Sequence, residues 1–337
     1  MTNLVYIGNK LKNKGFTATT IDTLGPRLES LGYNINYASS KRNKVVRLFD
    51  MLFTLFKHRK TTDLVLIDTY STLNFYYALA CSQLCRLLQL KYIPILHGGN
   101  LPVRVKHYPR LSAAVFKSAY KIVSPSMYLA SVFKTLGYED ITCIPNAITL
   151  KDYPFLERDC NFINMLWVRS FSEIYNPTLA IDILKALKDR CEQATLCMVG
   201  PEKDGALKRC KEYADALGVD VIFTGGLSKE DWLALSKDYN LFINTTHFDN
   251  MPVSVVEAMA LGLPVISTNV GGMPFLIHDG DNGILVADGD LDGFVKGIDT
   301  LKNNPDKTSQ MIKNARSQAE LFDWVRVKNL WKALIDS

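Results

Sequence analysis

Short runs of β-branched and aromatic residues alternate along this chain with longer stretches of helical periodicity. Leu4–Ile7, Asn34–Ala38, Leu64–Ile67, Tyr92–Leu96 and Lys121–Ser124 have the length of buried strands, and each intervening segment is long enough to return as a helix. This alternation predicts a parallel, doubly wound α/β sheet. After a proline-containing connection, Ile144-Pro145-Asn146 to Pro154, the pattern restarts with Asn164–Val168, Thr195–Val199, Asp220–Phe223, Leu241–Asn244, Pro264–Ser267 and Ile284–Val286. Two Rossmann-like domains are therefore expected, residues 1–150 and 151–320. A last helix in 321–337 carries Trp324, Val327, Leu330, Trp331 and Leu334 at helical spacing, which should pack one face back across the domains.

Composition supports this division: 337 residues, 47% hydrophobic and 22% charged, exceed one ordinary core and are too apolar for disorder. Charge is unevenly divided. Residues 1–150 hold 19 Lys/Arg against 7 Asp/Glu, and residues 151–337 hold 20 against 27. A basic first half implies an anionic partner, and a phosphorylated acceptor or a membrane surface is favoured over nucleic acid. The seven cysteines include no C-x-x-C pair, so neither disulfides nor zinc is expected; Cys81 and Cys85 lie one helical turn apart, as two buried residues on one face would. The chain opens on an apolar strand without the basic region and cleavage site of a signal peptide. The apolar stretch Leu73–Leu90 is broken by Asn74, Ser82, Gln83 and Arg86, so no span is expected and a cytoplasmic location is, at the inner face of the membrane if the basic half binds one.

The most informative segment follows Leu241–Asn244. An apolar strand ends in Thr245-Thr246, and Phe248-Asp249-Asn250-Met251-Pro252 leads into a helix from Val253 to Leu261. Ligands of doubly wound sheets bind beyond such carboxyl strand ends. Pro252 suits a helix start, and the free N–H groups there, about Val253 and Ser254, make an anion site fit for a diphosphate. Asp249 and Glu257 are eight positions apart, so that one carboxylate can hold the hydroxyls of a sugar and the other those of a ribose, or the two can simply be a solvated acidic pair capping a helix.

Other loops repeat the theme. His97-Gly98-Gly99-Asn100 follows the strand Tyr92–Leu96, with glycines that admit close backbone approach on what reads as the acceptor side. The first loop carries three lysines and Gly15 but no G-x-G-x-x-G, which argues against a nicotinamide-dependent oxidoreductase. Gly200 and the pair Gly226-Leu227 stand at further strand ends. Asp279-Gly280-Asp281 and Asp288-Gly289-Asp290 match a D-x-D metal motif in form but read as glycine turns, so no metal site is assigned. Lys41–Lys60 joins basic ends to Val45, Val46, Leu48, Phe49, Leu52, Phe53 and Phe56, a pattern that serves either a membrane-surface helix or an ordinary helix packed on the sheet.

The run from Asp249 through Glu257-Ala-Met-Ala-Leu-Gly-Leu-Pro264-Val to Gly272, continued by Asp279–Val286, resembles glycosyltransferase family 4. The resemblance implies a GT-B fold with two Rossmann-like domains facing across a cleft, and retention of anomeric configuration without a bound metal or cofactor. The family's E-x(7)-E motif falls on Asp249 and Glu257, the aspartate shortening the first reach by a methylene. The family's paired Arg and Lys, which neutralise the donor diphosphate, fall on Arg169 and on Tyr175, where tyrosine replaces lysine. The resemblance also implies that His97 lies near the reacting sugar, that Gly15 belongs to a loop approaching the donor, and that the Gly226-Leu227 loop contacts the base.

The expected activity is transfer of a hexosyl or N-acetylhexosaminyl group from a nucleotide-diphosphate sugar, a UDP-sugar before a GDP-sugar, to a glycan or lipid-linked acceptor in surface polysaccharide or glycoconjugate synthesis. Arg169, Asp249 and His97 are the expected catalytic residues. Two other readings stay open: a nucleotide-sugar 2-epimerase or hydrolase on the same fold, and an inactive nucleotide-sugar-binding subunit.

Overall fold

The computed structural model describes residues 2–12 and 19–337. The chain forms two compact units, Met1–Pro145 with Lys328–Ser337, and Asn146–Val327.

In the first unit the elements run β1 (Asn3–Ile7), α1 (Thr20–Glu29), β2 (Asn34–Ala38), α2 (Lys44–His58), β3 (Leu64–Tyr70), α3 (Phe75–Leu87) and β4 (Tyr92–His97). They continue with α4 (Leu101–His107), α5 (Pro109–Phe116), β5 (Ile122–Ser124), α6 (Met127–Thr135) and β6 (Ile141–Cys143). The sheet is parallel in the order β2-β1-β3-β4-β5-β6, so the winding reverses between β1 and β3. Its strands read as continuous apolar runs because helices cover both faces: Val5, Ile7, Val65 and Ile67 pack with Met51, Leu55, Cys81 and Cys85 on one side. Both cysteines are buried on one face of α3, as their spacing predicts.

The second unit runs β7 (Ile163–Val168), α7 (Pro177–Asp189), β8 (Ala194–Val199), α8 (Ala206–Leu217), β9 (Ile222–Gly225), α9 (Lys229–Leu235) and β10 (Leu241–Asn244). It closes with α10 (Val253–Ala260), β11 (Val265–Thr268), β12 (Ile284–Val286), α11 (Leu291–Asn303) and α12 (Pro305–Glu320). Its parallel sheet has the order β12-β11-β10-β7-β8-β9, with the winding reversed between β7 and β10. Trp167, Phe171, Ile183, Leu184 and Phe294 lie in the core on one face, and Phe242, Val255, Met259 and Leu276 on the other. A final helix, α13 (Trp324–Ile335), returns the chain to the first unit. Val327, Trp331 and Leu334 are buried on it as expected, but Leu330, three residues after Val327 and one before Trp331, is 44% exposed at the edge of the stripe.

Strand β6 is a further departure from expectation. Ile141-Thr142-Cys143 is three residues long and only half-buried, too short to show a period, and it joins the sheet by pairing with Ile122–Ser124.

Candidate active site

Ligand crevices of doubly wound sheets open where the winding reverses, at the carboxyl ends of the two strands involved. In the second unit those strands are β7 and β10, and the chain leaving them carries Arg169 and Asp249.

The turn after β7 is held tightly. Arg169 N donates to the Val199 carbonyl at 3.0 Å, and Phe171 N to that of Pro201 at 2.9 Å. Gly200 has φ +156°, and a Cβ there would lie 1.7 Å from the Arg169 carbonyl oxygen, so only glycine lets the β8 turn pass this close. A single turn, Glu173–Tyr175, is fastened to the end of β10: Thr245 Oγ1 donates to the carbonyls of Tyr175 and Asn176 at 3.0 and 2.8 Å, and Thr246 Oγ1 to that of Ile174 at 3.2 Å. Thr245-Thr246 therefore act as structural fasteners. Tyr175 lies under the Arg169 guanidinium, 4.3 Å from carbon to ring centre. The contact is a cation–π one that steadies the guanidinium.

Arg169 pairs with Asp249. Sequence reasoning assigned the two to different parts of a donor, the arginine to phosphate and the aspartate to sugar; the structure sets one against the other. Asp249 Oδ1 also accepts from Met251 N at 3.1 Å. Arg169 Nε is buried without a partner among the described residues. Burial pushes the guanidinium down to about 10, with Tyr175 opposing the shift, so it stays cationic at neutral pH.

The loop Phe248–Pro252 lies back to back with Gly271-Gly272. Gly272 N donates to the Asp249 carbonyl at 2.8 Å, and a Cβ on Gly272 would come within 1.5 Å of the Asn250 carbonyl oxygen. The glycines thus set the approach of Asn250 and Met251. Pro252 caps α10 in an extended conformation, φ −72° and ψ 123°. The first ladder bonds run from Val255 and Val256 back to its carbonyl, leaving the amides of Val253 and Ser254 free among the described residues. Ser254 Oγ is likewise buried without a partner.

Glu257 stands further along α10 and accepts a hydrogen bond from the Tyr153 hydroxyl. Burial raises its carboxyl above the usual range; Tyr153 and then Lys229 act in the opposite direction. Lys229 Nζ sits 4.5 Å from the Tyr153 ring centre and 3.4 Å from Asp152. Neither Tyr153 nor Lys229 was expected. Tyr153 lies in the proline-rich connection and Lys229 after the Gly226-Leu227 turn, where no spacing joins them to Glu257.

Gly200 N bonds the Gly225 carbonyl at 2.8 Å, which brings the Gly200 turn beside Gly226, while Leu227 packs against the core. The two D-x-D segments are glycine turns, with φ +77° at Gly280 and +72° at Gly289. Their carboxylates hold structure: Asp279 accepts from Leu285 N, Asp281 from Asn314, and Asp290 caps α11 through Gly293 N. A depression of about 470 Å³ lined by Asp279, Lys296, Lys307 and Met311 holds none of the candidate residues.

The first unit has its own winding reversal, between β1 and β3, and a second polar cluster forms there. Asp68 is fully buried on β3; its Oδ1 lies 2.9 Å from His97 Nε2 and accepts from the Tyr6 hydroxyl at 3.0 Å, while its carbonyl accepts from Tyr77 at 2.7 Å. His97 ends β4 beside Tyr70, the rings stacked at 4.9 Å. Asp68 Oδ2 is buried and unpartnered among the described residues, and a Cβ on Gly8 would meet it at 2.5 Å. Gly98, at φ +85°, turns the chain into α4, with Gly99 and then Asn100 at the helix start; Leu101 N reaches back to the Gly98 carbonyl at 3.4 Å. Gly15 lies outside the described residues. Asp68 was missed because a lone aspartate inside the apolar run Leu64–Tyr70 has no sequence partner; only the strand register, Tyr70 opposite His97, brings it there.

Residues 157–318, nearly all of the second unit, match the family model described as glycosyl transferases group 1. The fold is GT-B, with two parallel six-stranded α/β sheets. Over the full length of both chains the structure superposes on Anabaena HepE, crystallised with UDP-glucose, with a TM-score of 0.78 at 17% identity. Among curated proteins, a stretch of 148 residues is 28% identical to the sulfoquinovosyl transferase SQD2 of Arabidopsis thaliana, covering 43% of this chain and 28% of that one. Another, of 138 residues, is 28% identical to the D-inositol 3-phosphate glycosyltransferase of Corynebacterium kroppenstedtii, covering 40% and 31%. The matched stretches thus span about a quarter to a third of those relatives.

Proposed function

We propose that this chain is a retaining glycosyltransferase of family 4 that moves a hexosyl or N-acetylhexosaminyl group from a nucleotide-diphosphate sugar, a UDP-sugar first, to a glycan or lipid-linked acceptor. The observation that carries this reading is the largely buried Arg169–Asp249 pair at the β7/β10 reversal, followed directly along the chain by the free amides opening α10, with Glu257 one turn further along that helix. HepE binds UDP-glucose on the same fold.

In this reading the donor diphosphate lies against Arg169 and the amides of Val253 and Ser254, while Glu257 accepts from the ribose hydroxyls. Asp249 fixes the arginine fork and orients the sugar. As the sugar–phosphate bond breaks, charge develops on the departing diphosphate oxygen, where a pre-set cation and amides stabilise it most. That oxygen takes the proton of the acceptor hydroxyl as the new glycosidic bond forms on the same face, and neither metal nor cofactor is needed. The acceptor meets the basic first unit, where His97, held by Asp68, orients the sugar. We place the protein in the cytoplasm at the inner face of the membrane, in surface polysaccharide or glycoconjugate synthesis.

The test is a panel of UDP-, GDP- and dTDP-sugars offered to wild type and Glu257→Ala. A UDP-sugar should raise the melting temperature of the wild type alone. If no donor does so, and the substitution changes nothing, the assignment fails. Free sugar released without acceptor would identify a hydrolase or epimerase, and binding without turnover an inactive subunit.

A further inference from the structure

Helix α2 has two apolar faces, and the sheet uses only one. Met51 and Leu55 are fully buried against Val5, Val65, Ala78 and Cys81, with Leu48 and Leu52 packed beside them, and these residues seat the helix. Val45, Val46, Phe49, Phe53 and Phe56 are 62%, 50%, 67%, 64% and 51% exposed. At 3.6 residues per turn they fall within an arc of roughly 100°, a continuous stripe along the outer side of the helix. Three exposed phenylalanines on one helix form a patch of the kind that marks an interaction surface.

The charges around the stripe are of one sign. Lys41 and Lys44 stand exposed at its start, and Lys57 and Lys60 at its end. Arg59 stacks on Phe56 with its guanidinium carbon 4.0 Å from the ring centre. The helix's one acidic residue, Asp50, is engaged by the Ser39 hydroxyl, and Arg47 is turned inward, bonding Asn9 Oδ1 at 2.7 Å and the Lys41 carbonyl at 2.7 Å. A protein partner could cover an apolar stripe, but rings flanked at both ends by exposed lysines, on a helix whose one carboxylate is engaged by Ser39, complement an interface of acyl chains beneath anionic headgroups.

We infer that α2 is a membrane-surface helix that inserts Phe49, Phe53 and Phe56 into an anionic lipid leaflet while Met51 and Leu55 hold it on the sheet. This rests on reading the first unit as the membrane-facing one, and it is independent of the donor chemistry.

The test is co-sedimentation of the full chain with phosphatidylcholine vesicles, with and without phosphatidylglycerol, in the absence of donor. The wild type should bind the mixed vesicles, and Phe49→Ser/Phe53→Ser/Phe56→Ser should bind at least about tenfold more weakly while keeping the wild-type melting temperature. Lys57→Glu/Lys60→Glu should lose the preference for phosphatidylglycerol. Phe53→Trp, which changes the stripe least, should shift its emission to the blue when mixed vesicles are added. The inference is overturned if the triple variant binds like the wild type, if the wild type ignores both vesicles, or if Phe53→Trp emission does not move. It is also overturned if the stripe instead joins two copies, seen as a wild-type dimer that the triple variant abolishes. Because donor-induced thermal shifts are read separately, a wild type that shows the shift but binds neither vesicle sinks this inference and leaves the transferase reading standing.

Discussion

The two doubly wound sheets each open a crevice where their winding reverses, and they furnish it differently. In the second unit the crevice gathers charge at the surface ends of β7 and β10: Arg169, Asp249 and the start of α10. In the first unit the polar groups lie deeper. Asp68 is wholly buried inside β3, with its Oδ1 against His97. On the proposed reading, the difference teaches that one crevice binds a charged group directly and the other holds one ring in position. Substitutions in the second should therefore cost binding and leaving-group stabilisation, and those in the first should cost rate with donor affinity intact.

Arg169→Ala breaks the comparison hardest. Removing a pre-set cation from the developing charge should lower kcat about 10²- to 10³-fold, as the loss of one such donor does elsewhere. Arg169→Lys should recover little, because an ammonium cannot both stack on Tyr175 and fork toward Asp249 and a phosphate. Steady-state kinetics of the two variants beside the wild type decide this; full activity in Arg169→Ala would remove the arginine from the chemistry.

Gly200→Ala comes next, through stability. Its Cβ would strike the Arg169 carbonyl in a backbone conformation that side chains rarely adopt. A loss on the order of 3 kcal/mol is expected in urea unfolding. Gly98→Ala, equally left-handed at φ +85° but with open space around it, should lose less. Equal losses would mean that backbone strain, and not the contact under Arg169, is what glycine relieves at position 200.

Much of this could be read along the chain. The strands other than β6 follow from apolar runs, and the candidate donor segment is contiguous, so that its carboxylates, proline and glycines fall within one stretch from Asp249 to Gly272. What escaped was built across the sheet. Tyr153 reaches Glu257 from more than a hundred positions away, and Asp68 reaches His97 through parallel register; neither link leaves a periodic trace. The pairing of Arg169 with Asp249 was hidden for the same reason, although each was singled out. On α2 the stripe was visible, but only the packing of Met51 and Leu55 shows which of its apolar residues the sheet consumes.

Asp68→Asn tests the first crevice. An amide in place of the carboxylate keeps the volume but exchanges a charged acceptor for a neutral one beside the ring, a change worth about 1.5–3 kcal/mol for a charged hydrogen bond. A fall of roughly ten- to a hundredfold in kcat, with the donor's dissociation constant unchanged, is expected. A parallel loss of donor affinity would show that the two crevices do not divide the work in this way.

The smallest effect is the most specific. Burial holds the Glu257 carboxyl above its ordinary range, and ribose hydroxyls need it ionised as an acceptor. Donor binding should therefore favour the carboxylate, pull its titration down and release a proton, and affinity should weaken as pH falls through a window lying above the usual glutamate range. For the folded chain alone the sign is opposite: a carboxyl raised by burial costs stability once it ionises, so its contribution is fully present below the unfolded value and lost as pH rises through the folded one. Tyr153 opposes the shift by donating to the ionised form, so Tyr153→Phe should raise the carboxyl further. Its cost in donor affinity should be about 1 kcal/mol near neutral pH and grow on acidification, with the midpoint moved upward. Calorimetric titration of a UDP-sugar across pH, in buffers of different ionisation enthalpy, reads both the proton release and the midpoint. A uniform loss at every pH would make Tyr153 a packing residue only and leave Glu257 to be held by Lys229.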